Sequence, residues 1–245
     1  MSRLKAAVGI TTYNRPDFAK QSIDSVFTYL SKLNLPIAIY NDGSSPEFED
    51  EYNKIFQNIT GVIIFNEKVN RGVAVAKNRL LRWMMDETDA EYFFLLEDDI
   101  LIKSPEAVTG YIDVCEKQGM HHLAFAHHCG ANDGLMVKEI GNVQYYKNIV
   151  GAWCVYTRKS IETVGYMDEN FYNAWEHVEH TLRIILADLM PGSGAWNFPD
   201  AKNSIDWVEQ IQNPRTSIHV EEKAISEGER YWRESHPDTY KLLWG

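Results

Sequence analysis

A chain of 245 residues, 44% hydrophobic and 12% aromatic, is long enough to bury the core of one large α/β domain. Its net charge of −11 excludes broad nonspecific affinity for nucleic acid or anionic membrane, so an anionic ligand must be met by a local cation or a metal. The three cysteines, Cys115, Cys129 and Cys154, form neither a CxxC pair nor a disulfide framework. With no signal-peptide pattern and no apolar run near the ~20 residues a membrane span needs, the expectation is a soluble, cytoplasmic protein with reduced thiols and no transmembrane segment.

The first hundred residues alternate short apolar runs with amphipathic ones. "AAVGITTY" (6–13), "PIAIYND" (36–42), "GVIIFN" (61–66) and "EYFFLLE" (91–97) read as strands buried on both faces. Between them, Ile23, Val26, Phe27 and Leu30 recur at helical spacing, with Asn14 ahead of Pro16 as a start signal. A second helix is expected from "SSPEFED", with Ser45 as cap and Pro46 in the first turn. "RGVAVAKNRLLRWMMDE" puts Val73, Ala76, Leu80 and Met84 on one stripe of a third. Such a pattern predicts a mostly parallel sheet whose ligands bind outside the carboxyl ends of the strands.

The polar motifs fall at those ends: "TTYNRP", "NDGSS", "NEKVNRG" and "EDD". None has the glycines of a dinucleotide fingerprint or a P-loop. Three adjacent carboxylates, Glu97, Asp98 and Asp99, instead suit a hard divalent cation, Mg²⁺ or Mn²⁺, that bridges to diphosphate oxygens.

"VGITTYNRPDFAKQSIDSVF", "IYNDGSS", "NRGVAVAKNRLL", "FFLLEDD" and "VGYMDENFYNAWEHVEHTLR" together resemble the family-2 glycosyltransferases of GT-A fold, over residues 6 to 190. The resemblance implies a Rossmann-like, mostly parallel sheet flanked by helices. It further implies a single domain over 1–245, with a nucleotide-sugar half (1–100) and an acceptor half plus C-terminal helix (101–245). By the same resemblance Thr11, Tyr13, Asn14, Arg15 and Asp42 hold the base and ribose, and Asn41 stands where the family has an acid. Asn70, Gly72, Lys77 and Asn78 follow, with Lys77 where the family has a cation near the diphosphate. Glu97-Asp98-Asp99 aligns with the D-x-D motif. Asp99 is the implied metal ligand, and Glu97 faces ribose, a metal-bound water or the metal itself.

Beyond residue 100 the expected elements are a helix from about Pro105 to Gln118 and a strand "HLAFAHH". Neighbours in a strand point to opposite faces, so His121-His122 and His127-His128 read as structural or surface residues. In "AWEHVEHTLRI" the H-E-x-x-H order of a zinc protease is absent. Glu179 and Arg183 read as an i,i+4 surface pair, with Trp175, Leu182 and Ile185 packing inward. The family resemblance places the acceptor's base at Glu176 or His177, both of them open. It offers His219 as a further metal ligand and the loop between Met190 and Asn203, with Trp196, as a cover. "ERYWRESHPDTYKLLWG" reads as a docked helix.

The implied function is inverting, metal-dependent transfer of a sugar from a UDP-linked donor to an acceptor hydroxyl. The acceptor is a glycan, a small molecule or a modified nucleic-acid base. The alternatives are a nucleotidyltransferase of related topology and an inactive nucleotide-sugar-binding module.

Overall fold

The computed structural model describes residues 4–191, 195–208 and 222–244. Its centre is a six-stranded sheet of β1 (Ala6–Thr12), β2 (Ile37–Asn41), β3 (Ile63–Asn66), β4 (Tyr92–Glu97), β6 (His122–Ala124) and β9 (Trp153–Thr157), in the order β3-β2-β1-β4-β9-β6. The first four are mutually parallel, and β9 runs antiparallel to both of its neighbours. The second half of the chain therefore completes the sheet begun by the first.

The crossovers are helical: α1 (Pro16–Leu30), α2 (Glu49–Gln57) and α3 (Val73–Glu87). Ile23, Val26 and Leu30 of α1 and Ala76, Leu80 and Met84 of α3 are buried, as their spacing predicts. Val73, at the start of the α3 stripe, is only partly buried. Two local expectations are corrected. β3 is an edge strand, half exposed rather than buried on both faces, because nothing pairs beyond it among the described residues. Asn14 caps no helix, and Ser45 precedes a 3-10 turn (Pro46–Phe48) that leads into α2 but makes no side-chain cap bond; the Asn14 side chain accepts the Ser45 N–H at 2.7 Å and ties the ends of β1 and β2 together.

On the far side of β4, β5 (Ile100–Ile102) pairs with β11 (Ile205–Trp207), and α4 (Glu106–Gln118) covers the sheet. A three-stranded sheet of β7 (Met136–Ile140), β8 (Val143–Tyr146) and β10 (Ala195–Asn197) follows. Trp196 is buried against Tyr145, so it serves that sheet's packing and not a mobile cover. α5 (Arg158–Val164) leads to α6 (Glu176–Leu186), and the short α7 (Ala201–Ser204) precedes β11. The C-terminal segment is two helices, α8 (Glu222–Ser235) and α9 (Pro237–Trp244), broken at Pro237. Trp232 of α8 is fully buried in a cluster with Phe171, Val178 and Leu182, which fixes the start of α6. No helix among the described residues is long and apolar enough to cross a membrane.

Candidate active site

The carboxyl ends of β1, β2 and β4 border a cavity of about 340 Å³. Thr11, Tyr13, Asn14, Arg15, Asp42, Asn70, Gly72, Glu97 and Asp98 line it, so the fold brings together nine residues singled out from separate motifs. Thr12, Phe48, Tyr172 and Asn173 join them without having been foreseen. Tyr172 and Asn173 lie in the irregular run before α6, where no periodicity marks a position; their entry depends on Gly72. That glycine has φ +93°, and a Cβ on it would stand 2.4 Å from the Tyr172 carbonyl oxygen.

The walls are built by short polar bonds between loops. Both Asp42 oxygens accept backbone N–H groups, from Arg71 and Gly72, each at 2.9 Å. Burial still pushes the Asp42 carboxyl above its usual range against those donors. Asn41 donates to Asn66 at 2.8 Å and accepts from Ser44, so it braces the rim. Tyr52 of α2 shares a 2.7 Å hydrogen bond with Thr12 and accepts the Arg15 N–H at 3.1 Å.

At the end of β4 the three carboxylates part company. Asp98 is buried, accepts from Thr12 Oγ1 at 2.6 Å and pairs with the Arg15 guanidinium. Burial, partly offset by Arg15, pushes its carboxyl up to about 6. Asp99 faces a second cavity of about 320 Å³, lined also by His128, Cys129, Gly151, Glu176, His177 and Ile225. Arg15, Val73, Glu97 and Asn173 line both cavities and form their shared wall. Arg15 Nη1 lies 3.5 Å from Asp99 Oδ2 and His128 Nε2 lies 3.3 Å from Oδ1. Burial opposes the charge on Asp99, but His128 and Arg15 outweigh it and hold its carboxyl below the usual range.

His128 is where the strand-based reading of the histidine pairs fails. β6 ends at Ala124, so His127 and His128 sit in a turn and alternation does not apply. His122 does behave structurally, bonding Val155 O and Thr181 and stacking on Tyr156.

Lys77 and Asn78 lie beneath the first cavity rather than in it. Lys77 is fully buried, and its ammonium is taken by Glu97 Oε1 at 2.8 Å, Glu176 Oε1 at 3.0 Å and Gly151 O at 3.4 Å. Burial works against that charge, yet the two carboxylates outweigh it and hold the lysine well above its ordinary value. Asn78 bonds both Met167 N and Met167 O, pinning the run that leads to α6.

α6 begins abruptly. Trp175 has φ +76°, a left-handed conformation costly for a bulky residue, and is held there by its indole N–H to Ile225 O (2.9 Å) and by Trp232. This turn places Glu176 and His177 in the first helical turn, where the helix dipole favours a carboxylate. Burial alone would raise Glu176, but Lys77 and then His177 hold its carboxyl well below the usual range. Glu176 Oε1 lies 3.1 Å from His177 Nδ1, and Glu176 Oε2 is buried without a hydrogen-bond partner. His180 turns away, its Nε2–H donating to Gly165 O at 2.9 Å, so "HVEH" brings no two histidines to one site. Arg183 Nε–H is shared between both Glu179 oxygens at 2.9 Å, but Glu179 is fully buried and the pair is not a surface one.

A divalent cation fits the end of β4 on one observation: Asp99 Oδ1 is buried with no well-formed hydrogen bond, only the ionic contact with His128 Nε2 at 3.3 Å. No three His, Cys, Asp or Glu side chains converge into a metal cage among the described residues. Mg²⁺ and similar hard cations need only one or two carboxylates when phosphate and water supply the rest. His219, the other ligand expected from sequence, lies outside the described residues.

Residues 7–118 match the model of glycosyl transferase family 2. No curated protein matches the chain by sequence. Among solved structures, TarS 1–349 of S. aureus is similar at 14% identity and TM-score 0.56, over 74% of this chain and 55% of that one. A structure of GalNAc-T7 with UDP, GalNAc and Mn²⁺ is similar at 14% identity and TM-score 0.64, over 97% of this chain and 50% of that one. The mannosyltransferase PcManGT of Pyrobaculum calidifontis, in complex with GDP-Man and Mn²⁺, is similar at 10% identity and TM-score 0.53, over 100% of this chain and 74% of that one. The chain thus spans about half the length of the TarS and GalNAc-T7 chains. The strand-end motifs lie inside the region that matches the family model, and the sheet around them has the fold of the GT-A glycosyltransferase structures.

Proposed function

We propose that the chain transfers a sugar, with inversion, from a UDP-linked donor to an acceptor hydroxyl, and that a divalent cation, Mn²⁺ or Mg²⁺, assists. The observation that supports this most is the pair of adjoining cavities. One gathers the strand-end motifs, the other holds Asp99 and the Glu176–His177 pair, and Arg15 and Glu97 stand between them. The neighbours solved with UDP-GlcNAc or with GDP-Man and Mn²⁺ agree in kind with such a donor.

The nucleotide is received by Thr11, Tyr13, Asn14 and Asp42, with the 70–72 turn closing the cavity from the side. Asp99 Oδ1, and His219 with it, would hold the cation, which as a Lewis acid lowers the cost of negative charge on the leaving diphosphate. Arg15, positioned between Asp98 and Asp99, places a fixed positive charge at the same wall. The acceptor lies in the second cavity, and His177 takes its hydroxyl proton on Nε2. Glu176 orients the ring through Nδ1: held strongly acidic by Lys77, it is too weak a base to take that proton itself. Acceptor glycans, small molecules and a modified nucleic-acid base all present such a hydroxyl.

The experiment is a thermal-shift screen of UDP- and GDP-sugars with and without Mn²⁺. Protection by a nucleotide sugar that deepens with Mn²⁺ supports the proposal; no protection by any of them contradicts it.

A further inference from the structure

The His177 ring lies against the backbone of Gly151. A Cβ added there would stand 2.4 Å from His177 Cγ and 2.7 Å from Cδ2, distances no real side chain tolerates. The same glycine's carbonyl oxygen accepts from Lys77 Nζ at 3.4 Å, and Lys77 in turn holds Glu176 Oε1, the atom that meets His177 Nδ1. Lys77 and Gly151 thus grip the histidine from two sides, one through its carboxylate partner and one through its ring face. His177 Nε2 makes no hydrogen bond among the described residues, and the ring lines the second cavity.

From this closed chain of contacts we propose that Lys77 and Gly151 are positioning residues: Lys77 fixes the Glu176 carboxylate on Nδ1, and Gly151 leaves the space that seats the ring with Nε2 open to the acceptor cavity. The inference rests on the reading of His177 as the base.

The charged groups around the ring set the sign of the test. Glu176, Lys77 and Glu97 form one row, and His122 lies close enough to feel the ring's charge. Arg15, Asp99 and His128 line the same cavity. Of these, Lys77 is a cation two hydrogen-bond steps from the imidazole, each about 3 Å.

The experiment follows the His177 ring by NMR in protein labelled with ¹³C-histidine, across pH, without substrate. In Lys77→Met the ring should hold its proton to higher pH by roughly 1–2 units, the size of one lost charge about 6 Å away at an effective dielectric near 20. Lys77→Arg should restore the wild-type midpoint, and Glu176→Gln should lower it. Gly151→Ala should shift the ring resonances and cut transfer turnover by roughly 10²-fold while leaving donor affinity in place. An unmoved midpoint in Lys77→Met would overturn the proposal. So would movement of Lys77→Met and Glu176→Gln in the same direction, the signature of a loosened fold. If Lys77→Met does not fold, the decision passes to Glu176→Gln and Gly151→Ala: an unchanged midpoint in the first or an unchanged ring in the second refutes it. Full transfer by His177→Ala would instead defeat the base assignment while the ring coupling still stood.

Discussion

Replacing Gly72 by alanine tests how the first cavity is closed. Gly72 has φ +93° and ψ 158°, a region reserved in practice for glycine, and occupying it with alanine costs about 1–3 kcal/mol. The new Cβ would also meet the Tyr172 carbonyl oxygen at 2.4 Å and Tyr172 Cδ2 at 2.9 Å. That oxygen accepts the Val73 N–H at 3.0 Å, so it cannot retreat without breaking the bond that starts α3. Overpacking of this kind adds about 1–3 kcal/mol, and relaxation is shared between the two terms, giving about 2–4 kcal/mol in all. At roughly 2–4 °C per kcal/mol for a domain of this size, Tm should fall by about 4–16 °C. Tyr172 and Asn173 line the first cavity, so if it is the donor site nucleotide affinity measured by calorimetry should fall by about tenfold or more. Gly61→Ala is the control: its φ is +74° but no atom lies within 4 Å of the added Cβ, so it should lose only the backbone share and keep its affinity. The reasoning is refuted if Gly72→Ala melts and binds like Gly61→Ala.

Asp99→Ala should lose Mn²⁺-dependent nucleotide binding and stay folded by circular dichroism, since it removes the buried carboxylate oxygen at the end of β4 that lacks a well-formed hydrogen bond; retained Mn²⁺ dependence would remove Asp99 from the metal. In assays of transfer, His177→Ala should lose about 10²–10⁴-fold in turnover with donor affinity preserved, and near-normal turnover would place the base elsewhere. Burial raises the Asp168 carboxyl, but hydrogen bonds from Tyr231, Asn170 and His236 outweigh it and bring it to about 2. A depressed carboxyl contributes stability above its unfolded value near 3.8 that disappears as pH falls toward 2, so the urea midpoint should drop over that window and Asp168→Asn should flatten the drop. Trp232→Ala should cost about 3–5 kcal/mol in urea unfolding, because a fully buried indole is removed from beside Trp175.

The parallel sheet was legible because β1, β2 and β4 are continuous apolar runs ending in polar turns, and the lining of the first cavity because such turns gather at one sheet edge. β3 was overestimated: an apolar run looks the same whether or not a further strand lies beyond it. Lys77 shows a different limit. Its place in the motif suggests a cation for phosphate, but burial and the partners Glu97 and Glu176, 20 and 99 residues away, are properties of the fold alone. His128 was hidden by a strand that stops four residues early, and Gly151 by the rule that a missing side chain leaves no chemical signature. Tyr172 and Asn173 carried no periodic signal, yet they close the cavity.

The central claim is that the two adjoining cavities form a nucleotide-sugar donor site opening on an acceptor site. The most direct measurement is release of nucleoside diphosphate from UDP-sugars by the purified chain, with and without Mn²⁺, in the wild type and in Asp99→Ala. Mn²⁺-stimulated release that Asp99→Ala abolishes is the predicted result, and a wild-type chain that releases no nucleoside diphosphate from any nucleotide sugar, and binds none of them, would contradict it.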